Sequence, residues 1–150
     1  MKEKPILMSG EMVRAILDNR KNQTRRVIKL DLGLLDTDKN DRNYLQLPDE
    51  YGEYHKLVDL CPYGKVGDRL WVRETHIIAT QVEGANVGKK EIWYKATPPA
   101  FLPVNSYKWR PSIHIPRWAS RITLEITDIR VERNEEGIWE WVIDFKVIKK

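Results

Sequence analysis

Only one cysteine, Cys61, occurs in the 150 residues, so an internal disulfide is excluded and no cysteine-based zinc site can be assembled. The histidines number three, His55, His76 and His114, too widely spaced in sequence to form a local metal motif, and neither a metal nor a cofactor is expected. No apolar run approaches the roughly 20 residues that a membrane helix needs. Ile6-Leu7-Met8 is too short for the apolar region of a signal peptide, which predicts a soluble, cytoplasmic protein with no membrane partner. What is present describes one folded domain over residues 1–150, with 41% hydrophobic and 32% charged residues. A formal charge of +4 leans toward a polyanionic partner, though an excess of this size also occurs in proteins that bind no nucleic acid.

The densest chemistry lies in residues 19–26, Asn-Arg-Lys-Asn-Gln-Thr-Arg-Arg. Before it, Ser9 is a candidate N-cap, Glu11 sits in the first turn where the helix dipole favours an anion, and Met12, Val13, Ile16 and Leu17 form one stripe. Residues 10–19 therefore read as an amphipathic helix. Beyond the junction, period-2 counting puts Thr24, Arg26 and Ile28 on one face of a strand and Arg25, Val27 and Lys29 on the other. Lys21, Thr24 and Arg26 then converge where the helix ends. Such a set can hold a phosphate, or let Lys21 activate Thr24 as a nucleophile; a basic, solvated turn is the plain alternative.

Residues 31–66 lose periodicity and read as a long excursion, with a second one across about 80–112. Between them, Arg69 to Ile78 reads as a strand rich in aromatic and β-branched residues, with Leu70, Val72, Glu74 and His76 on its inner face. A carboxylate among core residues is costly to bury, so Glu74 demands a cation such as Lys21 or an arginine. Glu91–Ala96 reads as a short strand. From Trp109 to Trp118, two tryptophans and the guanidinium groups of Arg110 and Arg117 punctuate an extended, proline-pinned segment. Interleaved planes of this kind stack on unpaired bases; alternatively the tryptophans fill the core and the arginines are solvated. Residues 120–132 form a strand whose apolar phase shifts near Thr127-Asp128, as at a bulge, and Trp139, Trp141, Ile143, Phe145 and Val147 alternate as the inner face of a last strand. The pattern is α+β, mostly β: a small, largely antiparallel barrel with an N-terminal helix and long irregular insertions.

Lys21-Asn-Gln-Thr-Arg-Arg26, Val66-Gly-Asp-Arg-Leu-Trp-Val-Arg-Glu74 and the run from Trp109 to Thr127 together resemble prophage-encoded ASCH-domain proteins of the PUA-like superfamily. The resemblance implies a β-barrel with a cleft against the first helix that takes RNA or modified nucleosides. One branch of that superfamily hydrolyses the acyl amide of N4-acetylcytidine with a Lys, a Thr and a later Glu. Lys21 and Thr24 match its Lys-x-x-Thr spacing and Arg26 the arginine that follows. The family glutamate has no clean counterpart, because Val131 to Gly137 turns almost at once into the final strand. Glu74 is the substitute, with Glu135 and Glu136 behind it.

The leading expectation is an RNA- or nucleotide-binding protein, its nucleic-acid contacts drawn from Arg20, Lys21, Arg25, Arg26, Arg73, Arg110 and Arg117. The alternatives are an amidohydrolase with Lys21, Thr24 and Glu74 as catalytic residues, a ribonuclease in which Lys21 or Arg26 stabilises charge on phosphate, and a phage assembly or anti-defence protein that contacts a protein partner through 31–66 and 97–112.

Overall fold

The computed structural model describes residues 1–33, 35, 45–80, 84–85, 87–101 and 108–150. Its elements are β1 (Glu3–Leu7), α1 (Gly10–Leu17), β2 (Gln23–Val27), β3 (Gln46–Pro48), β4 (Tyr54–Lys56), β5 (Arg69–Arg73), β6 (His76–Thr80), β7 (Lys90–Tyr94), β8 (Thr123–Arg133) and β9 (Trp139–Lys149). Among the described residues the fold is thus mostly β with one α-helix, and no helix there is long and apolar enough to cross a membrane.

Five strands form one sheet in the order β1-β5-β8-β9-β2. The sheet is open: among the described residues no pairing joins its edge strands β1 and β2, so the expected closed barrel is not formed. It is also mixed. Arg69 N donates to Lys2 O and Met8 N to Arg73 O, so β1 and β5 run in the same direction. β5 and β8 run antiparallel, with Val72 N on Ile122 O and Ile126 N on Asp68 O, and β2 lies antiparallel to β9 with Thr24 opposite Ile143.

The chain divides into two compact units. One contains Met1–Lys4, Asn22–Arg69 and Glu125–Lys146. Its buried residues include Thr24, Ile28, Leu47, Leu57, Ile126, Trp141, Ile143 and Phe145. Strand β2 keeps the counted faces, for Thr24 and Ile28 are buried while Arg25, Val27 and Lys29 are exposed. The alternation in β9 is less strict than its sequence, since Val142 is as buried as its neighbours Trp141 and Ile143. The hairpin between β8 and β9 closes on Asn134, whose side-chain oxygen accepts from the N–H groups of Glu136 and Ile138, while Gly137 supplies φ +81°. The excursion at 31–66 is less irregular than expected, because it holds the β3–β4 hairpin and a 3-10 turn at Leu57–Leu60; 34 and 36–44 lie outside the described residues.

The other unit contains Pro5–Lys21, Leu70–Leu124 and Val147–Lys150. Helix α1 begins as expected: the Ser9 side chain accepts from Met12 N, and Val13 and Ile16 are buried. It ends two residues early, at Leu17, and Asn19 follows with φ +59°. Two expected elements are corrected. The strand read over 69–78 breaks at Glu74-Thr75, because Thr75 O accepts from Lys95 N and His76 bridges to Arg110, drawing β6 into a separate two-stranded sheet with β7. The 109–118 segment is not extended either; Ser112–His114 and Arg117–Ala119 are 3-10 turns, each following a proline. Of the 80–112 excursion, 81–83, 86 and 102–107 lie outside the described residues.

Phe145→Ala removes a side chain that is 4% exposed, and we expect a loss of about 3–5 kcal/mol. For a chain of this size that lowers the thermal midpoint by at least about 6 °C. An unmoved midpoint in a calorimetric scan would show that the assigned core face of β9 is wrong.

Candidate functional site

Glu74, the residue after β5, is 1% exposed, and both its oxygens are taken. Arg121 Nε donates to Oε2 at 3.0 Å and Arg121 Nη2 to Oε1 at 2.9 Å, a two-pronged pairing that fixes both planes. The remaining prong, Arg121 Nη1, donates to Thr97 Oγ1 at 2.8 Å, and the guanidinium lies 4.1 Å from the centre of the Tyr94 ring. Tyr94 in turn donates its hydroxyl to Ala119 O at 2.6 Å, and burial pushes that phenol's pKa up. The cation demanded by Glu74 is therefore an arginine, one that sequence reasoning did not single out. Nothing local marked it: Arg121 lies 47 positions away. Next to this group, His76 is fully buried, with Nδ1 against Glu74 O at 3.1 Å; burial holds its pKa below the ordinary imidazole value.

In the same unit, α1 and the segment after β7 enclose an open cleft of about 600 Å³. Gly10, Glu11 and Arg14 of the helix line it together with Thr75, Lys95 and Ala96. A Cβ at Gly10 would sit 3.4 Å from Arg14 Nη1 and 3.9 Å from Ala96 Cα, ordinary contact distances, so the helix start packs against this wall without depending on a glycine. Arg14 Nη1 donates to Ala96 O at 3.4 Å, tying the helix to the opposite wall. With Arg14 and Lys95 against Glu11, the charged side chains of the lining sum to one positive charge. Neither Arg14 nor Lys95 stood among the expected contacts. Lys21 is half-buried just beyond α1, its backbone N–H donating to Ala15 O. Arg20 pairs with Asp18 at 3.1 Å, and Arg110 is exposed, joined to His76 through its backbone. Arg73 and Arg117 both lie against Trp71, with their guanidinium carbons 4.7 and 5.6 Å from its ring centre.

Thr24 and Arg26 belong to the other unit. Thr24 is 1% exposed and its hydroxyl accepts from Arg26 Nε at 3.3 Å, while burial lowers the Arg26 pKa and the Tyr63 phenol acts in the opposite sense. Arg25, on the opposite face, is ion-paired with Glu132 at 2.8 Å and Glu140 at 3.6 Å. Glu135 and Glu136 are exposed in the β8–β9 turn. Asp49, Glu53 and His55 each bring a ligand atom within 4.8 Å of the others. Their geometry serves the β3–β4 turn: Asp49 accepts from the N–H groups of Tyr51 and Glu53 and lies 2.8 Å from the His55 ring.

No family model matches the chain, and neither the curated proteins nor the solved structures contain a significant match.

Arg121→Met leaves Glu74 buried without its cation and is expected to cost about 3–5 kcal/mol in urea unfolding. The double variant Glu74→Leu, Arg121→Met removes both charges and should recover most of that loss. If the double variant were no more stable than Arg121→Met alone, the buried pair would not be what holds this region.

Proposed function

We propose that this protein is a cytoplasmic, ASCH-type member of the PUA-like superfamily that binds RNA nucleotides or modified nucleosides in the cleft against its first helix. The cleft itself carries the reading. Its volume falls in the range that ligand sites occupy, and the resemblance to ASCH-domain proteins expects a ligand beside the first helix. Its wall offers Arg14 and Lys95 for a phosphate and the Thr75 side chain for a sugar or base edge. Glu74 supports this wall from behind, as the residue before Thr75, rather than meeting the ligand.

Arg14→Ala and Lys95→Ala should each weaken binding of a short single-stranded RNA and flatten the salt dependence by about one unit on a log–log plot. Fluorescence anisotropy against ionic strength measures both. Wild-type protein that binds no such RNA at low salt, or variants that bind with unchanged slope, would remove the cleft from consideration.

A second reading is favoured by the hydrogen bond from Arg26 to Thr24. A guanidinium on a hydroxyl oxygen lowers the cost of charge developing there, as amide hydrolysis by a threonine nucleophile requires. On this reading N4-acetylcytidine is deacetylated by the wild type, Thr24→Ser keeps part of the activity and the isosteric Thr24→Val has none. Absence of wild-type turnover on acetylated nucleosides, followed by chromatography, would exclude it.

A further inference from the structure

Trp118 is 59% exposed, although tryptophan gains more from burial than most residues. The local structure holds it out. Ala119, the next residue, is 1% exposed, and its carbonyl accepts from the Tyr94 hydroxyl; Ser120 follows, with its hydroxyl on Val72 O at 2.8 Å. Ala119 N closes the 3-10 turn on Pro116 O at 3.0 Å. Between these anchors the Trp118 backbone has little freedom, so the ring is presented to solvent by a rigid turn rather than by a loose loop. A cation lies over it: Lys90 Nζ is 5.8 Å from the Trp118 ring centre. Arg117, one residue earlier in the turn, lies over Trp71, which Arg73 also covers. Trp71, Ile115 and Ala119 form the apolar cluster on which the turn rests.

We propose that Trp118 is a stacking platform for an unpaired base of single-stranded RNA, with Lys90 and Arg117 taking the flanking phosphates. Every base has a π-face, so an aromatic ring beside cations recognises single strands with little regard to sequence, whereas a duplex keeps its bases stacked on each other. A preset ring also loses little conformational entropy on binding. The proposal rests on RNA being the ligand of this protein, and it extends the contact beyond the cleft beside α1.

The test compares a fluorescein-labelled ten-nucleotide oligouridine, a ten-base-pair RNA duplex and uridine monophosphate. Trp118→Ala should weaken oligouridine binding by about 5- to 160-fold, the loss expected on removing one base-stacking aromatic, while Trp118→Phe keeps most of the affinity. The monophosphate, held by the cleft, should bind both variants as it binds wild type. An exposed ring is not needed for folding, and an unchanged melting profile of Trp118→Ala confirms that the variant is intact. Oligouridine affinity unchanged in Trp118→Ala but reduced in Arg14→Ala overturns the platform and leaves the cleft standing. Equal losses for oligouridine and duplex also overturn it, because they show a charge effect without stacking. Wild-type protein that binds neither oligouridine nor monophosphate overturns the functional reading beneath it.

Discussion

A carboxylate taken fully out of water must be met by a cation and by hydrogen bonds to both its oxygens, and the Glu74–Arg121 pair is how this chain meets that requirement. Each further contact of Arg121 fixes another piece of the fold. Its third prong reaches Thr97, after β7, and its flat face covers Tyr94, whose hydroxyl holds Ala119. One ion pair therefore sets the end of β5, the segment that walls the cleft and the turn that presents Trp118. Replacing the arginine by lysine would keep the charge and lose this geometry, since a single ammonium cannot supply two parallel donors, a third at a fixed angle and a stacking face.

The charged face of the other unit shows why a count of basic residues overstates the basic surface. Arg130 donates to both Asp128 and Asp144 at 2.6 Å, Arg25 reaches Glu132 and Glu140, and Gln23 donates to Asp144. These bonds hold the Glu132 and Asp144 carboxyls below their usual pKa range and raise that of Arg130. The strands β2, β8 and β9 are laced together across their polar face by side chains that look in the sequence like free cations and anions. In the unit that contains the cleft, Arg73 and Arg117 lie against the Trp71 ring, so their guanidinium groups are engaged in packing as well as in charge.

Where a feature depended on neighbours along the chain, the sequence determined it. The Ser9 cap and the Val13 and Ile16 stripe define α1, period-2 counting places Thr24 inward and Arg25 outward, and the Asn134 to Gly137 turn pairs β8 with β9. The inward direction of Glu74 follows from the same counting, and so does its need for a cation. Caps, periods and turns are short-range, so a single sequence contains them. The tertiary structure decided what lay beyond that range: which of many arginines answered Glu74, that β1 lies parallel to β5, and that no pairing among the described residues closes the sheet. It also broke the strand at Glu74-Thr75, because Lys95 and Arg110 offered that backbone better partners, and turned Trp118 outward, because Ala119 and Ser120 were anchored on β7 and β5. Each of these depends on groups tens of residues apart meeting with good hydrogen-bond geometry, and that meeting is settled by packing and not by local propensity.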